Sequence, residues 1–179
     1  AENVYLAECL NDFIALGKRK TNSVRLLIQL ELQKDSSLLK SKFNEFFFKQ
    51  TEVSMHLPIR IGDFTDFYSS KYHAENVGEL FRGDPRLTPN WKHMPLAYNG
   101  RSSSIVVSGT DIHRPRGQIL ELGSSAPIHE ESRFLDFELE MATIIGKETI
   151  LGEVVDCDEA EKYIFGFALF NDWSARDFQ

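Results

Sequence analysis

Cysteine is scarce: the 179 residues hold two, Cys9 and Cys157, far apart and without C-x-x-C spacing. That excludes a disulfide framework and a thiolate zinc knuckle. Two free thiols suit a reducing compartment, so a cytoplasmic protein is expected. Long apolar runs are missing as well. The longest, around Tyr163–Phe170, falls far short of the roughly 20 residues a membrane-spanning helix needs, and no membrane role is expected. The first residues lack the charged, apolar and small-residue succession of a secretory signal, which gives secretion no support. Positive charge is in deficit, with 20 Lys and Arg against 27 Asp and Glu, a net charge of −7. Residues 1–50 hold 8 basic and 6 acidic groups, whereas residues 51–179 hold 12 and 21. Nucleic-acid binding requires a basic footprint, so no nucleic-acid partner is expected. An acidic region either holds hard cations or is a solvated surface, and charge alone does not choose between them.

What is present is the composition of a folded globular chain, 42% hydrophobic and 12% aromatic with 14 Phe. It is long enough for one domain, or for one domain and part of another. The first fifty residues have helical period. Leu6, Leu10, Phe13 and Ile14 form one apolar stripe, and Gly17 followed by Lys18, Arg19 and Lys20 predicts a helix stop with cations at the negative end of its dipole. A second helix is expected over about Ser23–Lys34. Asp35, Ser36 and Ser37 offer caps for a third, with Leu39, Phe43, Phe46 and Phe47 on one face. From about Met55 the period changes and Gly and Pro punctuation becomes frequent. Ser103–Ser108, Phe134–Thr143 and Tyr163–Phe170 predict strands, and Ser69–Phe81 a short helix. The expected class is α+β: a helical part over residues 1–54 and a mainly β domain over residues 55–179.

Three stretches carry chemistry. In Leu135-Asp136-Phe137-Glu138-Leu139-Glu140-Met141 the apolar and acidic residues alternate strictly, so Asp136, Glu138 and Glu140 share one face of a strand. Same-face neighbours sit about 7 Å apart, close enough for two Glu side chains to lean onto one ion. The same pattern also fits an amphipathic strand with a wet outer face. Tyr163–Phe170 reads as a fully buried strand that ends in Asn171-Asp172, where a rigid support delivers Asp172 either to a site or to the cap of a following turn. In Asp63–His73, Asp66 and His73 are seven apart and would share the face of a helix, with Tyr68 near the first. Three or four carboxylates with one nearby His suit Ca²⁺ or Mg²⁺ better than Zn²⁺. A lone His is usually structural, and His56, His93, His113 and His129 take that reading.

The runs MHLPIRIGDFTDFYSSKYHAENVGELFRG (55–83), LTPNWKHMPLAYNGRSSSIVVSGT (87–110), RFLDFELEMA (133–142) and IFGFALFNDWSARDFQ (164–179) resemble the fumarylacetoacetase family. The likeness covers the chain from about residue 55 onward. More weakly, the helical part before it resembles the end of that family's amino-terminal domain and its linker.

The resemblance implies a mixed β-roll preceded by a helical arm, incomplete at both ends, and a homodimer when complete. It implies Asp66, Glu138, Glu140 and Asp172 as ligands of Ca²⁺ or Mg²⁺, and His73 as the base that activates water. Tyr68, Arg82, Tyr98 and Gln179 match substrate-binding positions, and Arg176 and Gln179 match groups near the developing negative charge. Asn99 departs from the family pattern, where His is expected. The implied reaction is metal-dependent cleavage of a carbon–carbon bond in a diketo acid, fumarylacetoacetate, to fumarate and acetoacetate, the last step of tyrosine and phenylalanine breakdown. Within the superfamily the alternative is an acylpyruvate hydrolase or decarboxylase, against which Arg82 and Tyr98 speak. Outside it, the alternative is an inactive remnant that binds a cation or a partner through open sheet edges. The family also has a Lys, a Tyr, a Thr and a base-orienting Glu beyond the last matching motif, so residues 1–179 by themselves are expected to be essentially inactive.

Overall fold

The computed structural model describes residues 3–33 and 37–179. The chain divides into two compact units, Ala1–Pro58 with Gly109–Gln179, and Ile59–Ser108. Helices and antiparallel strand pairs occur together, an α+β composition.

In the larger unit the helices are α1 (Asn11–Ala15), α2 (Lys18–Gln33), α3 (Leu38–Ser41) and α4 (Phe43–Phe46). The apolar stripe from Leu6 to Ile14 does not form one helix. A 3₁₀ turn over Val4–Leu6 precedes α1, because the Leu10 N–H donates to Pro58 O at 2.7 Å and the chain leaves helical pairing there. Ile14 is buried and Gly17 stops the turn at φ +86°. Lys18, Arg19 and Lys20 open α2 rather than close α1, so their charges sit at the end of a helix dipole opposite to the expected one. Accordingly α2 starts five residues earlier than its sequence signal. Ser37 caps α3 as expected, its Oγ accepting from the Lys40 N–H at 3.1 Å. The other two cap candidates, Asp35 and Ser36, and the expected helix end Lys34 lie outside the described residues. A break at Lys42 separates α3 from α4, and Phe43 and Phe47 stack at 4.6 Å.

Two strand pairs complete this unit. β3 (Arg116–Ile119) and β4 (Ile128–Glu131) form one; β5 (Leu135–Ile145) and β6 (Ile164–Ala175) form the other. The β5–β6 register places Glu138 opposite Asp172, Glu140 opposite Phe170 and Met141 opposite Leu169. Directly opposed residues share a face, so the hairpin has an acidic side and an apolar side. Tyr163–Phe170 was expected to be a fully buried strand ending before Asn171. Instead β6 runs on through Asp172 to Ala175, pairs among the described residues with β5 alone, and exposes Phe167 and Leu169. Coverage is the reverse of a dry apolar side and a wet acidic one: Leu139 is 74% exposed, whereas the Glu138 side chain is 16% exposed.

The smaller unit pairs β1 (Phe64–Phe67) with β2 (Ala97–Gly100) and contains α5 (Lys71–Arg82). Ser70 caps α5, accepting from the His73 N–H at 3.3 Å. Gly83 ends it at φ +63°, its N–H bonded to Glu79 O at 2.9 Å, a backbone state that suits glycine. Gly100 answers a different need: the Phe64 ring lies over it, and a Cβ there would meet a ring carbon at 2.0 Å. The strand expected over Ser103–Ser108 does not form. Ser102–Ser104 make a 3₁₀ turn instead, and among the described residues the apolar residues after it join no strand pair. No helix among the described residues is long and apolar enough to cross a membrane.

Candidate active site

The acidic side of the β5–β6 hairpin is built by strand alternation and register. Asp136, Glu138 and Glu140 project from β5; Asp172 and Ser174 project from β6 on the same side, and Arg176 follows in phase. A Glu140 carboxylate oxygen and an Asp172 carboxylate oxygen lie within 4.8 Å of each other, and both residues are half-buried. Such an acid pair offers hard oxygen donors, the chemistry that holds a divalent metal ion.

Glu138 is engaged differently. Its Oε1 accepts from Arg176 Nη1 at 2.5 Å and from Ser174 Oγ at 3.4 Å. Like charges directly opposed across strands repel, and Glu138 faces Asp172 in register. Arg176 counters that repulsion. Its side chain is 12% exposed, and its Nε and Nη2 both reach Asp136 Oδ2 at 3.1 Å, while Nη1 donates to Gln179 Oε1 at 3.1 Å. Burial by itself would lower the Arg176 pKa, but the hydrogen bonds to Glu138 and Asp136 outweigh it and hold the guanidinium above its ordinary value.

The turn that carries Arg176 and Gln179 is latched from below. Asp177 Oδ1 accepts from Ser132 Oγ and its Oδ2 from the Arg133 N–H, both at 2.6 Å. Ser132 is almost completely buried, and Arg114 Nη1 donates to its carbonyl at 2.7 Å. Burial opposes ionisation of Asp177, yet the bonds from Ser132 and the Arg133 backbone prevail and lower its pKa.

The smaller unit holds the other expected residues. Asp66 lies on β1, not on a helix with His73; His73 occupies the first turn of α5. The face-sharing expected from a separation of seven therefore fails, because Ser69 and Ser70 stand between a strand and a new helix. Asp66 is opposite Tyr98 in register, and Tyr98 Oη donates to its Oδ2 at 2.8 Å. Tyr68 and His73 meet ring edge to ring face at 5.5 Å, and Tyr68 Oη donates to Ala74 O at 3.3 Å. Arg82 Nη2 is turned to the carbonyls of Asp84 and Arg86, at 3.3 and 2.8 Å. Asn99 Nδ2 reaches Asp63 Oδ2 at 3.4 Å. Trp91 Nε1 donates to Tyr68 O at 2.8 Å, and the Tyr68 N–H donates to Leu96 O at 2.8 Å.

Two family models match this chain. "Fumarylacetoacetate (FAA) hydrolase C-terminal" matches residues 63–179, a stretch that includes Asp66, His73, Glu138, Glu140, Asp172 and Arg176. The chain belongs to the fumarylacetoacetate hydrolase family. The second model, "Fumarylacetoacetase N-terminal", matches residues 1–58. Among individual proteins, the chain is 49% identical over 182 residues to the fumarylacetoacetase of Dictyostelium discoideum, covering 98% of this chain. It is 44% identical to those of Bos taurus over 182 residues and Homo sapiens over 186, each covering 99% of this chain. It spans 43% of the length of these relatives. For a member of this hydrolase family, the β5–β6 acids provide the oxygen-rich setting that a metal requires.

Sequence reasoning missed three pairings. Asp136 was visible on the acidic face, but nothing local announced its bond to Arg176. Asp177 and Ser132 are 45 positions apart, and Trp91 and Tyr68 are 23 apart. Pairings over such separations leave no periodic signal in the sequence.

Proposed function

We propose that this chain forms part of a fumarylacetoacetase, which hydrolyses fumarylacetoacetate to fumarate and acetoacetate in the final step of tyrosine and phenylalanine breakdown. The observation that carries this reading is 44–49% identity to fumarylacetoacetases along 98–99% of the chain. The acidic face of β5–β6 supports it chemically.

In this reading Asp66, Glu138, Glu140 and Asp172 hold a divalent cation, Ca²⁺ or Mg²⁺; the Glu140–Asp172 pair has the donor type and spacing such an ion accepts. When bound, the ion supplies Lewis-acid polarisation of the diketone oxygens. His73 takes a proton from water, and the hydroxide adds to the carbonyl on the fumaryl side. The bond from that carbon to the central methylene breaks, the electron pair leaves with the acetoacetate enolate, and a proton returns to it. Arg176 and Gln179 donate hydrogen bonds where negative charge develops. Arg82 serves a substrate carboxylate through its planar fork once released from the Asp84 and Arg86 carbonyls. Tyr68, Tyr98 and Gln179 contact the substrate. The strand pairs belong to a mixed β-roll preceded by a helical arm, with the boundary near residue 54, in a cytoplasmic homodimer.

The test is turnover of fumarylacetoacetate by the full-length gene product, followed by loss of the ultraviolet absorbance of the diketone, with and without Ca²⁺ or Mg²⁺. Asp172→Asn should abolish cation binding in calorimetry and turnover together. Undiminished Ca²⁺ and Mg²⁺ affinity in that variant would count against the ligand set, and absence of turnover by the wild type against the function.

A further inference from the structure

We propose that Asp136 is a positioning residue, which fixes the Arg176 guanidinium so that Nη1 addresses Glu138 and Gln179. The proposal rests on the role given to Arg176 above. Both ends of the contact are tied to backbone. Asp136 Oδ1 accepts from the Phe137 N–H at 2.8 Å, which sets the plane of the carboxylate. The Arg176 N–H donates to Phe134 O at 2.9 Å, which extends the β5–β6 pairing to the residue that bears the guanidinium. Between these anchors, Nε and Nη2 converge on Asp136 Oδ2, each at 3.1 Å.

A guanidinium is planar and its five N–H directions are fixed to one another. Holding the Nε–Nη2 edge therefore also decides where Nη1 points. Here Nη1 meets Glu138 at 2.5 Å and Gln179 at 3.1 Å. Without Asp136, the side chain has rotamers that carry Nη1 away, leaving Glu138 opposed to Asp172 without its cation. Asp136 is 48% exposed at its side chain and Glu138 is 16% exposed. The outer acid thus acts as the tether, and the inner one receives the charge.

The test is a double-mutant cycle in the full-length gene product, with Asp136→Ala, Arg176→Lys and the pair. Lysine keeps the charge and loses the fork. Asp136→Ala should lower kcat by about 10-fold or more with little change in KM, in line with the cost of a displaced catalytic group. In the Arg176→Lys background the same change should have almost no further effect. A purely structural role for Asp136 would lower kcat by the same factor in both backgrounds, and that additive result overturns the proposal while leaving the proposed function in place. Wild-type kcat in Asp136→Ala also overturns it. Wild-type kcat in Arg176→Lys strikes instead the role given to Arg176, and the proposal falls with it. If the alanine variant fails to fold, Asp136→Asn, which keeps the shape and loses the charge, reads the same cycle.

Discussion

Tyr98 stands directly across from Asp66 in the β1–β2 pair and donates its phenolic hydrogen to Asp66 Oδ2 at 2.8 Å. The tyrosine assigned to substrate and the aspartate assigned to metal are therefore hydrogen-bonded partners. A ligating carboxylate that already accepts one hydrogen bond has an oriented second oxygen, and removing such a partner weakens metal binding in many sites.

Tyr98→Phe should lower the cation affinity of the full-length gene product by about 10-fold, toward the small end of the range for lost outer partners because Tyr98 is exposed. Calorimetric titration with Ca²⁺ measures this directly. An unchanged dissociation constant would separate Tyr98 from the metal and leave it only a substrate contact.

His73→Ala should reduce kcat by about 10²–10⁴-fold and leave cation affinity nearly intact, because a general base acts on water and is not a ligand. Its backbone N–H still caps α5 through Ser70, so the fold should survive the change. Normal turnover in this variant would return His73 to a packing role against Tyr68.

Asp177→Asn should destabilise the fold in a pH-dependent way. The folded-state pKa of Asp177 lies below its ordinary value, so its contribution is fully present above about pH 3.9 and is lost as the pH falls through the lower folded value. Urea unfolding at neutral pH should show the variant less stable than the wild type. The gap should close as the pH drops below about 3.9. A gap that stays constant down to the acid limit would show that the carboxylate charge contributes nothing to the latch.

Gly100→Ala should destabilise the full-length gene product by about 1–3 kcal/mol, the usual cost of forcing a methyl group into an occupied space. The new Cβ would meet the Phe64 ring at 2.0 Å. Phe64→Leu in the same molecule should recover part of the loss. Thermal unfolding of the two single variants and the double variant decides it, and an additive double variant would place the strain elsewhere.

Local signals in the sequence determined what local forces control. The strict alternation of Leu135–Met141 became β5 with Glu138 and Glu140 on one side, because side-chain direction in a strand depends only on parity. Ser37 marks a helix start in the sequence and in the structure, since a cap is satisfied within three or four residues. The motif runs were long and ordered enough to carry the family. Tertiary structure decided whatever depends on a partner far along the chain. Asp172 reads locally as a strand end or a helix cap, yet pairing with Glu138 keeps it inside β6. Asp66 reads as helical until Tyr98 supplies the opposite strand. Ile105–Val107 have strand composition and no strand, because a strand exists only when another chain segment satisfies its backbone. Arg176 is a charge in the sequence; Asp136 and Glu138, some forty positions away, give its guanidinium a direction.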